Sequence, residues 1–217
     1  FIGESEKSII KALKVEQEGG SLLGIQGIAI RDKGDIIVNK KFDLIEDIES
    51  IPSPAFDLLP LDKYKQLLGR VELPIMSTRG CPFDCNYCSA KLYSARNFRF
   101  PSAQHTVNQI KEMREKYGLD YLWIRDDIFN LRKDYCKGVL RGLIDLKMPI
   151  QWTDSNSFHV NSLDEEFLSL CKESGCEQII MSVESASQRV LKEIMNKKVN
   201  LDHARKIADY CKKIGIE

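Results

Sequence analysis

The sequence is short of histidine, of net charge and of long apolar runs. It holds three His in 217 residues, none at paired ligand spacing, so an imidazole-built metal site has few donors to draw on. Lys plus Arg equals Asp plus Glu, 32 against 32, which leaves no basic field for nucleic acid. No apolar run approaches the length of a membrane span, and nothing resembles a secretory signal. Seven cysteines, an odd number, argue against a disulfide framework and for a reducing, cytoplasmic setting. The composition, 43% hydrophobic and 29% charged, is that of a globular chain of one domain, or of one domain with part of a second.

Three of the cysteines stand together, in the run Arg79-Gly80-Cys81-Pro82-Phe83-Asp84-Cys85-Asn86-Tyr87-Cys88, directly after an apolar strand-like segment at 73–76. No fourth cysteine lies within reach of that loop. Three thiolates on one loop hold a cubane iron–sulfur cluster at three irons and leave the fourth iron open to a reactant. The bland alternative is a zinc knuckle completed by a distant histidine, of which His105 is the nearest. The other four, Cys136, Cys171, Cys176 and Cys211, sit beside apolar neighbours at helix or strand positions and read as buried thiols.

From residue 73 onward the chain repeats strand, loop and amphipathic helix. Ser102 caps a helix whose apolar side is Val107, Ile110, Met113 and Tyr117, and Gly118 ends it before a buried strand at 121–124. Tyr135, Val139, Leu140 and Leu143 mark the next helix, which Pro149 interrupts before a strand at 150–153. Leu163, Phe167, Leu168 and Cys171 form a third face, Gly175 stops it, and 178–183 reads as the fourth strand. A helix over 201–214 leads to Gly215-Ile216-Glu217, which reads as entry into a fifth strand at which the chain is truncated. Alternating units with continuous apolar strands predict an α/β fold: a parallel sheet covered by helices, here a partial (β/α) barrel. Ahead of it, residues 4–18 suit a helix with Ile9, Ile10 and Leu13 inside, and Asp32-Lys33-Gly34-Asp35 joins two short strands into a β-hairpin. Three prolines in 51–60 then predict an extended connector.

In such sheets ligands sit at the carboxyl ends of the strands. The cysteine loop ends the first strand. Asp126 and Asp127 end the second, where one of them can accept hydrogen bonds from a ligand ammonium; the alternative is a pair of solvated acids at a helix start. Asp154, Ser155 and Asn156 end the third. Strand alternation puts Ser182 and Glu184 on one face at the end of the fourth, where Glu184 either accepts two hydroxyls of a ribose or simply opens the next helix.

The spacing C-x-x-x-C-x-x-C with an aromatic before the third cysteine resembles the signature of radical S-adenosylmethionine enzymes. Further segments resemble the subgroup that carries a cobalamin-binding domain: the proline-rich connector from Pro52 to Pro60, Arg125-Asp126-Asp127-Ile128-Phe129, Ser182-Val183-Glu184-Ser185-Ala186-Ser187, and the opening Gly3-Glu4-Ser5-Glu6. The resemblance implies a remnant of a cobalamin domain over 1–50, a linker over 51–72 and a radical domain over 73–217. It further implies that Cys81, Cys85 and Cys88 ligate a 4Fe-4S cluster whose open iron takes the amino and carboxylate groups of S-adenosylmethionine. Tyr87 would lie near the adenine, Asp126 or Asp127 near the ammonium, Asn156 near the methionine or ribose, and Glu184 on the ribose. His159 and Asn161 stand where an arginine and an aspartate are usual, and Ser182 and Ala186 replace glycines. These departures bear on the finer ligand contacts and not on the cluster loop.

The activity implied is reductive cleavage of S-adenosylmethionine to a 5′-deoxyadenosyl radical, for cobalamin-linked methylation or rearrangement of an unactivated carbon. The implied partners are a small-molecule or lipid-like substrate and an electron donor such as a flavodoxin or ferredoxin, with cobalamin bound in the full-length protein. Two readings compete: a radical methylthiotransferase acting on transfer RNA, and a non-catalytic iron–sulfur or zinc-binding module. The catalytic residues beyond the cofactor ligands, and the substrate, are not readable from the sequence.

Overall fold

The computed structural model describes residues 1–40, 43–94 and 96–217. Its centre is a parallel sheet of β3 (Glu72–Ile75), β4 (Tyr121–Ile124) and β5 (Gln151–Asp154), in that spatial order. Glu72 lies opposite Tyr121 and Tyr121 opposite Gln151, so the three strands run in step and end along one edge. The connections are α4 (Ala103–Tyr117) between β3 and β4, and α5 (Lys133–Leu146) between β4 and β5; α6 (Glu165–Glu173) and α7 (Leu201–Ile214) follow. Local chemistry sets the helix ends. The Ser102 hydroxyl accepts from the His105 amide at 3.3 Å, and Gly118 closes α4 in the left-handed conformation.

Burial follows the apolar pattern. Trp152 is fully buried, with Phe129 and Phe158 edge-on at 6.1 and 6.3 Å, and its indole N–H donates to Ser174 Oγ. Cys136, Cys171, Cys176 and Cys211 are buried free thiols in or beside this core.

The strand expected at 178–183 does not form as a regular strand. The segment is tied to its neighbour by isolated parallel bridges, Trp152 to Cys176 and Phe158 to Met181, and by the Thr153 hydroxyl donating to the Gln178 carbonyl at 3.3 Å. Between them the partner chain leaves the ladder: β5 stops at Asp154, and Ser157 takes a left-handed φ of 84°. Gly175 allows the close approach, because a Cβ there would stand 2.4 Å from the Ile150 carbonyl oxygen. The chain end lies alongside, Ile179 N–H donating to the Glu217 carbonyl at 2.6 Å. The sheet so described is open.

The hairpin forms as expected, β1 (Ile28–Asp32) pairing β2 (Asp35–Asn39) around Lys33 and Gly34, both at positive φ. The helix before it, α1 (Glu6–Gln17), departs from expectation: Ile9, Ile10 and Leu13 are 38%, 55% and 59% exposed. Polar anchors hold this end of the chain instead. Glu4 accepts from the Ile45 amide and pairs with the buried Arg99, while Glu6 pairs with Arg79. Phe56 of the proline-rich stretch is buried edge-on against Tyr117, and an unforeseen helix, α2 (Leu61–Leu68), follows directly after that stretch.

Candidate functional site

The loop after β3 carries the three cysteines into α3 (Ala90–Ser94). Arg79 and Arg99 exchange backbone hydrogen bonds at 2.9 Å across the loop's base. Gly80 turns the chain with φ 84°; a Cβ there would meet the Asn97 carbonyl oxygen at 2.1 Å, so no other residue fits without a shift. Cys81 and Cys85 are half-buried and Cys88 exposed, all three as free thiols. Burial pushes the pKa of Cys81 and Cys85 up, and Lys197 opposes the rise at Cys85.

The three thiols line one cavity of about 210 Å³, together with Tyr87, Asp127, Asn156, His159, Glu184 and Lys197. Among the described residues no three His, Cys, Asp or Glu groups gather closely enough for a single ion. The donor set fits an iron–sulfur cluster: three thiols, none in a disulfide, line one cavity.

Of the two adjacent aspartates, only Asp127 lines the cavity. Its carboxylate accepts from the Tyr93 hydroxyl at 2.8 Å and from the Gly80 amide at 3.2 Å. Asp126 is fully buried, and both its oxygens are occupied. Oδ1 accepts from the amides of Ser77 and Thr78 at 2.6 and 3.0 Å, and Oδ2 from their hydroxyls at 2.6 and 2.8 Å. Burial outweighs these hydrogen bonds and raises its pKa to about 6. Asp126 therefore fixes the chain leading into the cysteine loop instead of facing a ligand. Asp154, at the end of the next strand, is also buried. Its Oδ1 accepts from the Asn156 amide while Oδ2 has no partner among the described residues, and burial followed by the charge of Asp126 lifts its pKa to about 8.

Asn156 lines the cavity with its Nδ2 donating to the carbonyls of Arg125 and Asp126 at 3.1 and 3.0 Å, which holds the β4 and β5 ends together. Glu184 lines it from a left-handed φ of 68°. Ser182 shares the cavity wall while Val183 packs into a small second core, the alternation expected at the fourth strand's end.

Two wall groups were not singled out as ligand contacts from the sequence. Lys197 donates to the Tyr87 hydroxyl at 3.0 Å and to Glu184 Oε1 at 3.1 Å. Burial alone would lower its pKa, but these two bonds outweigh it and hold the ammonium above its ordinary value. No spacing rule marks a lysine on an irregular turn. His159 stacks on Phe83 at 4.5 Å between ring centroids, and burial followed by Lys197 lowers its pKa, keeping the imidazole neutral at pH 7.

The chain is similar to an uncharacterized methyltransferase of Pyrococcus horikoshii, at 30% identity over 99% of this chain and 46% of the relative. It is 26% identical to a cytidylyl-2-hydroxyethylphosphonate methyltransferase of Streptomyces wedmorensis, over 100% of this chain and 46% of that protein. The chain thus spans about half the length of these curated relatives. Among solved structures, the radical S-adenosylmethionine methyltransferase TsrM of Kitasatospora setae superposes with a TM-score of 0.79 at 16% identity, over 100% of this chain and 43% of that one. The cobalamin-dependent S-adenosylmethionine radical enzyme OxsB gives 0.77 at 19% identity, over 99% and 32%. These likenesses bear on the fold. The sequence profile of the Radical SAM superfamily matches residues 75–217, a stretch that begins in β3 and takes in the cysteine loop and every wall residue of the cavity. A match of that extent, on the segment that builds the site, makes this chain a member of the Radical SAM superfamily.

Proposed function

We propose that the protein is a radical S-adenosylmethionine enzyme that methylates or rearranges an unactivated carbon of a small-molecule or lipid-like substrate. The observation that carries this is the convergence of three free thiols with Asp127, Asn156 and Glu184 on one cavity at the carboxyl ends of the strands. Cys81, Cys85 and Cys88 hold a 4Fe-4S cluster, and the chemistry that cluster supplies is one-electron reduction of the bound sulfonium.

The chain's own residues bind and orient. Asp127 accepts hydrogen bonds from the ligand ammonium, and Glu184 those from the ribose hydroxyls once Lys197 releases it. Tyr87 offers its ring to the adenine. Asn156 has its amide nitrogen committed to the backbone, so it contributes through Oδ1. His159, neutral, stacked on Phe83 and hydrogen-bonded through Nδ1 to Ser162 Oγ at 2.9 Å, closes the wall against water. Asp126 holds no ligand and fixes the loop base.

The open sheet is the first part of a (β/α) barrel. Residues 1–50 belong to the end of a cobalamin-binding domain and 51–72 to the linker, so cobalamin joins the cofactors of the full-length protein. The sequence profile of thiols and charge suits a cytoplasmic enzyme reduced by a flavodoxin or ferredoxin; no described helix is long and apolar enough to cross a membrane. The test is anaerobic reconstitution with iron and sulfide. Cys81→Ala, Cys85→Ala or Cys88→Ala should each abolish the oxygen-sensitive chromophore, while Cys171→Ala and Cys211→Ala keep it. Brown loop variants and bleached helix variants would overturn the assignment.

A further inference from the structure

The cysteine loop is strapped to a turn more than a hundred positions away in the sequence. The Asn86 amide N–H donates to the Met195 carbonyl at 2.9 Å, and its side-chain Nδ2 to the Ile194 carbonyl at 2.6 Å. In return, Asn196 Nδ2 donates to the Asp84 carbonyl at 2.8 Å. Lys197 adds its bonds to Tyr87 and Glu184. Two asparagines thus exchange side-chain amides for backbone carbonyls on either side of Cys85, and Lys197, next to Asn196, reaches the cavity wall.

The turn is itself held. It follows a π-helical turn, Val190–Ile194, whose Leu191 is fully buried against Val160, Val199 and Ala204. Met195 N–H donates to the Val190 carbonyl and Lys197 N–H to the Leu191 carbonyl, at 3.0 and 2.8 Å. Asn196 sits at φ 49°, a left-handed conformation that asparagine tolerates better than most residues. The loop, by contrast, has no regular structure between Gly80 and α3. An irregular loop whose ligands must keep a fixed spacing needs an external reference, and this turn is anchored in a core of its own.

We infer that the turn at 194–197 is a positioning element for the cysteine loop. Asn86 and Asn196 set the placement of Cys85 and Cys88, and Lys197 couples that placement to Glu184 across the cavity. The inference rests on the reading that the three cysteines hold a cluster. Ligand that draws Glu184 away from Lys197 then acts on the cluster loop through Tyr87, so ligand binding and cluster retention are linked.

The test compares the native intact protein, reconstituted anaerobically with iron and sulfide, with Asn86→Ala and Asn196→Gly. The first keeps the backbone N–H and removes the side-chain donor. The second keeps the left-handed turn and removes the donor to Asp84. Iron transfer to a chelator should be about five- to tenfold faster in each, the size of one lost hydrogen bond, and faster again in the double variant. The electron paramagnetic resonance spectrum of the reduced cluster should respond less to added S-adenosylmethionine. Melting of the iron-free proteins should fall by less than the faster iron loss requires. Native chelation rates and spectra in both variants would overturn the strap. A fall in iron-free melting that accounts for the faster loss would also overturn it, making the turn a plain structural brace. A native protein that takes up no iron and sulfide would instead sink the ligand assignment, and the strap with it.

Discussion

Asp154→Asn should make the protein more stable at neutral pH, and the gain should grow as pH rises. Asp154 is fully shielded from water, its Oδ2 has no partner among the described residues, and its pKa stands at about 8 against the ordinary carboxyl value near 4. Between those two values the folded state holds a proton that the unfolded chain has already released. Stability therefore falls with rising pH across that window, by up to about 1.4 kcal/mol per pH unit for this one group. Below pH 4 both states are protonated and the group contributes no slope; above about 8 its full cost is present. From pH 5 to 7 the native protein should lose at most about 3 kcal/mol through Asp154, a loss the uncharged variant avoids. Asn keeps an acceptor for the Asn156 amide, so the local turn survives the change. Asp126, with its pKa at about 6, slopes the same way over a narrower window, so the quantity to read is native minus variant. Urea unfolding of the iron-free protein at pH 5, 6, 7 and 8, followed by tryptophan emission, measures it; Trp152 packs two residues from the site in the same strand. Parallel native and variant curves over that range would refute the reasoning.

Glu184→Gln should weaken S-adenosylmethionine binding by about 1.5–3 kcal/mol, the range for hydrogen bonds to a charged group, with iron content unchanged. Titration of the loaded protein decides it, and native affinity would return Glu184 to a helix-start role. Gly80→Ala forces a side chain into a left-handed turn with a Cβ 2.1 Å from the Asn97 carbonyl oxygen, so it should lower stability by more than about 1 kcal/mol and reduce iron loading. Native melting and native iron content together would show that the loop base moves freely.

The sequence by itself determined what local chemistry controls. The Ser102 cap, the Gly118 stop and the Lys33-Gly34 turn each depend on neighbours a few residues away, and each formed where it was read. Apolar periodicity located α4 to α7 and the first three strands of the sheet for the same reason. The N-terminal helix shows the limit of that rule. Its apolar stripe looks inward-facing on a helical wheel, yet ion pairs from Glu4 and Glu6 to Arg99 and Arg79 decide how it docks and leave Ile9, Ile10 and Leu13 exposed.

The tertiary structure alone decided which polar groups face the cavity. Asp126 and Asp127 are equivalent in sequence, and they part because Ser77 and Thr78 of the neighbouring strand end offer four donors to one of them. Lys197 carries no pattern signal, since its place on the wall follows from a π turn packed around Leu191. The fourth strand was legible as an apolar run but not in its irregularity, which arises where Ser157 turns its partner out of the ladder. Spacing along the chain fixes which groups share a loop, whereas competition for hydrogen bonds between distant strand ends fixes where each side chain points.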